Sequence, residues 1–521
     1  MRRMGWMGSA ATISALALWA AIAAAQSGLV VETALGKAQG KTLDGGKVKA
    51  FLGLPYAAPP VGDLRWKAPA PPSPWKGLRD ATRFSARCGQ WPIWKDYIFE
   101  DAGPSEDCLF VNVYAPATAH AGGRLPVMVW IHGGGYAAGS GSEPRYNGAK
   151  LAERGVVVVT LNYRMGVFGF LASDDLAKES GGHAGNYGLM DMAAALRWVQ
   201  ANIRRFGGDA DNVTIFGESA GSFAVSTLMA ARDARGLFQK AIGESGGAFS
   251  DVIRMQTALE RGKQDQAWVE SLGVKSLAEL RALPMEKLIE AAQKQSVVRF
   301  SPVVDGSFLT ESVAATYAAG RQAHVPAIIG WNHDERAGTL SKGMTAEKWK
   351  AFAAEHYGAQ ADAFLAAFPA ATDEQAVRSA DDFTTEGFIA LGAWKWVEAQ
   401  VKSGQAPVYR FRFDWPATPS EMHPEGKYAF HSDELEYVFG TLETRHGASW
   451  RPEDHRLSEQ MIGYWTNFAK TGDPNGKGLP AWPRYDKTGE LIHLDRVISA
   501  GPDPLRAQYE FLVKQETAAH D

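Results

Sequence analysis

Cysteine is scarce in this sequence: 521 residues hold two, Cys88 and Cys108. The two lack zinc-ligand spacing, and no H-E-x-x-H pair is present, so neither a metal nor a cofactor is expected. A surplus of one charge is missing too. Lys and Arg total 54 against 58 Asp and Glu, a net charge of −4. Without a basic field or a basic run, a nucleic-acid partner is not expected. Past the N-terminus there is no run of about 18 uncharged apolar residues, so no membrane span is expected. Internal repeats, low-complexity tracts and long linkers are also missing, which argues for one large domain rather than a string of small ones. What remains is ordinary for a globular chain, 45% hydrophobic and 21% charged.

The one long apolar stretch lies at the start. "MRRMGWMGS" is short and basic, "AATISALALWAAIAAA" is apolar and rich in small residues, and it ends in "AAA" before Gln26. That order of a basic region, an apolar region and small residues predicts a cleaved signal peptide over residues 1–25, cut at Ala25–Gln26. Residues 26–521 are then the mature chain, exported to the periplasm or the medium. In such a compartment Cys88 and Cys108 are expected to pair. The disulfide would close a loop of about 20 residues, worth roughly 3 kcal/mol in the chain-entropy model.

Along the body, short apolar runs bounded by Gly or Asn predict buried parallel strands at 125–132, 156–163, 212–217, 239–244 and 326–332, with another at 408–415. Between the second and third, Leu189, Met192, Ala193, Leu196, Val199 and Ile203 recur at three- and four-residue spacing, the pattern of an amphipathic helix. Arg204 and Arg205, then Gly207 and Gly208, end it. Strands alternating with helices predict an α/β fold: a mostly parallel central sheet with helices on both faces. Residues 29–57 have hairpin spacing and predict small N-terminal antiparallel strands. Residues 245–330 and 340–400 are helix-rich and predict a helical cap region. "GKAQGKT" at 36–42 is one residue short of a phosphate-binding loop and reads as a hairpin turn.

Chemistry enters through a repeated pattern. Residues 217–221 read "GESAG" and residues 243–247 read "GESGG". Both are G-x-S-x-G, the turn that presents a serine nucleophile between a strand and a helix. Ser219 is followed by "AGSFAVSTLMAAR", which can run as a helix. Ser245 is followed by two glycines and no helical period, so Ser219 is the expected nucleophile. Upstream, "WIHGGGYAAGS" places three glycines at a strand end, where backbone N–H groups can approach an oxyanion closely. A serine needs a base, and the base needs an orienting carboxylate, in the chain order Ser, acid, His. Asp334 and Glu335 follow the strand at 326–332, and His431 follows the strand at 408–415; spacing alone does not choose among the acids and histidines.

Seven segments resemble the type-B carboxylesterases, the family of bacterial esterases and cholinesterases on an α/β-hydrolase fold. They are "FLGLPYA" (51–57), "SEDCLFVNVY" (105–114), "WIHGGGY" (130–136), "GNYGLMD" (185–191), "FGGDADNVTIFGESAGS" (206–222), "HSDELEYVFG" (431–440) and "YWTNFAKTGDPN" (464–475). The resemblance implies a serine esterase acting on small-molecule esters, with Ser219 as nucleophile, Glu335 as acid and His431 as base. It implies oxyanion donors at Gly134, Gly135 and Ala220, and it pairs Cys88 with Cys108. Trp91 and Trp94 in that disulfide loop, with Tyr136, would line the substrate site. Glu218 and Ser245 would support the site from behind, Ser245 by a hydrogen bond to Glu335 or Glu218. The chain departs from the family where Arg336 follows Glu335, a place commonly held by Gly, and where Glu244 precedes Ser245, commonly Gln. A non-catalytic binding protein of the same fold, an amidase and a lipase are the alternative readings.

Overall fold

The apolar runs become one sheet of eleven strands. In a computed structural model that describes residues 29–416, 418–420 and 425–520, the strands are β1 (Lys41–Leu43), β2 (Val48–Pro55), β3 (Phe110–Pro116), β4 (Leu125–Ile131), β5 (Val157–Leu161), β6 (Gly208–Glu218), β7 (Lys240–Glu244), β8 (Ala327–Asn332), β9 (Val408–Phe413), β10 (Glu490–Leu494) and β11 (Ser499–Pro502). The expected signal peptide and its cut lie outside the described residues. Across the sheet the order is β11-β10-β9-β8-β7-β6-β4-β5-β3-β2-β1. The run from β5 to β10 is parallel, and antiparallel pairs occur at both edges.

Parallel strands are covered on both faces, and here each strand divides its side chains between two cores. Val127, Val129 and Ile131 of β4 join one cluster, whereas Met128 and Trp130 join the other. Ile215 and Phe216 of β6 divide the same way, as do Ala241 and Ile242 of β7. Helices α1 (Tyr187–Asn202), α2 (Ala220–Ala230) and α3 (Leu391–Ser403) cover the first face. Helix α4 (Pro452–Thr471) covers the second, where Trp130 packs against Phe216 and Phe439 with ring centroids 4.8 and 5.0 Å apart. Truncating so deeply buried an aromatic costs about 3–5 kcal/mol. The predicted helix end is realised: after α1 the chain tightens over Ile203–Phe206 and turns at Gly207, whose φ of 89° is left-handed.

The two helix-rich stretches lie between β7 and β8 and between β8 and β9. The second, with Trp349, Phe364 and Phe368, builds a third apolar cluster of its own. Two expectations change. "GKAQGKT" is extended rather than a turn: Gly36–Gln39 belongs to a separate three-stranded sheet, and Lys41–Leu43 is β1. Gly40 is the crossing point between the two sheets, where a Cβ would collide with the carbonyl of Ala50. Strands β3, β10 and β11 were not legible as separate strands. In β3 the apolar run is broken by the buried Asn112, and β11 is almost wholly exposed, so neither reads as a continuous apolar strand. Cys88 and Cys108 are disulfide-bonded.

Candidate active site

Strands β6 and β7 run parallel and in register, pairing Gly217 with Gly243 and Glu218 with Glu244. The two G-E-S-x-G segments are therefore side by side at one sheet edge. Both serines leave their strands with positive φ, 54° at Ser219 and 52° at Ser245, a strained conformation for a non-glycine residue. From there they diverge. Ser219 (ψ −124°) leads directly into α2 and stays partly accessible. Ser245 is wholly buried, and its chain continues without a helix. Glycine makes the first turn possible, because a Cβ at Gly221 would collide with the carbonyl of Ile131 at the end of β4.

Ser219, His431 and Glu335 form one hydrogen-bonded line. The Ser219 hydroxyl is 2.9 Å from His431 Nε2, and His431 Nδ1 is 2.6 Å from Glu335 Oε2. In the unprotonated ring the carboxylate fixes the tautomer: Nδ1–H donates to Glu335 and leaves Nε2 to accept from the serine. The other Glu335 oxygen accepts from the Asn332 backbone N–H at 2.8 Å, and the Asn332 side chain donates to the Phe430 carbonyl at 2.7 Å. Asn332 thus ties the acid's loop to the histidine's loop. Asp334 is turned away; it accepts from Arg378 at 2.6 Å and from the Ala429 N–H at 3.1 Å. Geometry thereby separates two neighbours that spacing left equivalent.

Across from the histidine, Gly134 and Gly135 have φ of 96° and 60°. Their N–H groups donate to no acceptor among the described residues. Ala220 opens α2, so its N–H has no intrahelical acceptor. The three N–H groups called from the sequence are thus unspent, and the N-terminal end of α2 adds positive potential. A Cβ at Gly135 would meet Val297, Trp94 and Val298, which places apolar side chains over this turn. Trp94 packs on Tyr97, and Tyr97 on Phe99. Trp91 instead packs on the main core. Tyr136 is turned inward against Phe170 and Tyr163 and is 1% exposed, so it supports the turn and does not line a pocket.

Carboxylates crowd the back of the site. Glu218 accepts from Ser432 at 2.6 Å, and its Oε1 is 3.2 Å from His431 Nε2. Burial raises its pKa, and the His431 charge and the Ser432 hydrogen bond pull it back. Glu244, burial-raised to about 8, accepts from Trp465 Nε1 at 2.9 Å. Burial also lifts Glu434 far above the carboxylate range, with Glu218, Glu244 and Glu335 adding to it. Burial acts against the His431 imidazolium, but Glu218 and Glu335 outweigh it and raise His431 to about 9. The expected Ser245 hydrogen bond is not formed. Among the described residues its hydroxyl has no hydrogen-bond partner, while Glu218 is held by Ser432 and Glu335 by Asn332 and His431. Sequence reasoning missed Asn332, Ser432, Val297, Val298 and Phe388, whose ring stands edge-on to His431 at 5.1 Å. None falls in a spacing pattern; only "WN" at a strand end hinted at Asn332.

Such a constellation can deprotonate a hydroxyl, attack a carbonyl and hold the oxyanion. Among the described residues no cluster of His, Cys, Asp or Glu is arranged to hold a metal ion, and no helix is long and apolar enough to cross a membrane. The family model described as "Carboxylesterase family" matches residues 27–512. The para-nitrobenzyl esterase of Bacillus subtilis is 38% identical, over 91% of this chain and 96% of its own. The fumonisin B1 esterase of Sphingopyxis macrogoltabida is 37% identical, over 88% and 85%. Among solved structures, a PNB esterase aligns with a TM-score of 0.78 at 37% identity, covering 92% of this chain and 98% of that one. A Geobacillus stearothermophilus carboxylesterase aligns at 0.77 and 33% identity, covering 92% and 99%.

Proposed function

This chain belongs to the carboxylesterase family and is a carboxylic ester hydrolase, and we propose that it works through an acyl-enzyme on Ser219, with His431 as base and Glu335 as its orienting acid. The observation that carries this reading is the unbroken line from the Ser219 hydroxyl through His431 to Glu335. His431 Nε2 takes the hydroxyl proton as Ser219 attacks the ester carbonyl. The tetrahedral oxyanion accepts from the N–H groups of Gly134, Gly135 and Ala220, which are idle before substrate arrives and need no rearrangement. His431 then delivers its proton to the leaving alcohol. Water repeats the sequence on the acyl group and frees the serine. Glu335 holds the ring and stabilises its charge in both halves.

A fluorophosphonate probe tests this directly. It is expected to add one label per chain, and peptide mapping is expected to find it on Ser219. A label on Ser245, or none, rejects the assignment and revives the non-catalytic reading. Paired ester and anilide substrates separate an esterase from an amidase, and activation at a lipid interface would mark a lipase.

Export belongs to the same proposal: residues 1–25 direct the chain out, and 26–521 fold as one catalytic domain. The Cys88–Cys108 disulfide supports an oxidising compartment. The mass of the protein recovered outside the cytoplasm is expected to begin at Gln26; an uncleaved chain retained inside contradicts it.

A further inference from the structure

Arg336 follows Glu335 directly and is exposed. Its guanidinium carbon lies 4.1 Å from the centre of the Phe388 ring, and that ring stands edge-on to His431 at 5.1 Å. The cation therefore sits on the aromatic that flanks the proposed base. Its backbone is held: the Arg336 carbonyl accepts from Thr339 at 2.9 Å and Thr384 at 3.4 Å, and the next-but-one N–H, of Gly338, donates to Asp381 at 2.7 Å.

Arg336 also lacks what Arg378 and Arg445 have. Arg378 is paired with Asp334 and Asp382, and Arg445 with Asp433 and Glu436. Among the described residues no carboxylate lies within ion-pairing distance of Arg336. A guanidinium that stacks by its face keeps its N–H donors at its edge, where they match a carboxylate. The other side of the site, over Gly135, presents the apolar side chains of Trp94, Val297 and Val298.

Resting on the esterase reading above, we propose that Arg336 is a specificity residue, and that the preferred substrates are esters carrying an ionised carboxylate besides the ester group. The apolar wall over the oxyanion turn takes the hydrocarbon part, and Arg336 takes the charge. Nothing in this requires a further covalent step: the acyl transfer at Ser219 is the same, and the ion pair contributes through binding.

The test compares substrates matched for size. Para-nitrophenyl hydrogen glutarate against para-nitrophenyl valerate places the charge on the acyl side; acetoxybenzoate against its methyl ester places it on the alcohol side. In one of these pairs the anionic-to-neutral ratio of kcat/KM is expected to fall about five- to tenfold in Arg336→Gln, mainly through KM. Arg336→Lys is expected to recover part of it, and added salt to shrink the ratio in the wild type. Equal losses on charged and neutral esters would make Arg336 a mere prop for Phe388 and overturn the proposal, as would an unchanged ratio in both pairs. A wild type that cleaves neither kind of ester brings down the esterase mechanism first, and this inference with it.

Discussion

Two pentapeptides with four letters in common lie side by side on β6 and β7, and they do different work. At both, a serine breaks from the strand with positive φ. At Ser219 a helix follows, and the hydroxyl meets His431. At Ser245 two glycines follow, and the buried hydroxyl has no partner among the described residues. The second motif is a buttress for the first. The Glu244 carbonyl accepts from the Ser219 N–H at 2.9 Å, and the Gly246 carbonyl accepts from Ser222 at 2.7 Å. A Cβ at Gly246 would press on the Ser219 carbonyl. The same letters thus give one serine a histidine partner and bury the other, according to where each turn points its side chain.

The strongest way to break this comparison is to remove each hydroxyl. Ser219→Ala is expected to lower ester turnover by at least about ten-thousand-fold with the melting temperature retained. Ser245→Ala is expected to stay within about threefold of wild type and to change stability by no more than about 0.5 kcal/mol, because no hydrogen bond is lost. The reverse ranking would assign the nucleophile to the wrong strand.

A smaller effect sharpens the comparison at the neighbouring carboxylates. His431 must be unprotonated to act as a base, so kcat/KM rises with pH and levels off above its pKa, raised to about 9: burial lowers it, but Glu218 and Glu335 more than offset that. Glu218→Gln removes one of the charges that favour the imidazolium, so the acidic limb is expected to move to lower pH. Glu244→Gln is expected to leave the limb in place, because the charges that raise His431 are those of Glu218 and Glu335 and the Glu244 carboxyl is engaged with Trp465. Profiles of kcat/KM against pH for the three proteins check this; identical limbs for wild type and Glu218→Gln, or a shift to higher pH, would contradict it.

The sequence by itself determined the cores of β4 to β9 and α1, since a continuous apolar run and the 3.6-residue period are written in residue type. It also showed that a helix follows Ser219 and not Ser245, because a glycine pair opposes a helix start and that property is local. Asp334 against Glu335 was beyond it. Both follow β8, and only the folded chain shows Arg378 taking one and His431 the other. The resemblance places Tyr136 and Ser245 at the site, yet the first turns into the core and the second makes no side-chain hydrogen bond among the described residues. Asn332, Phe388 and Arg336 gain meaning only where β8, the loop before His431 and the cap meet. Local propensity is a property of neighbours along the chain, whereas the direction of a side chain and the identity of its partner are fixed by which distant segments the sheet brings together.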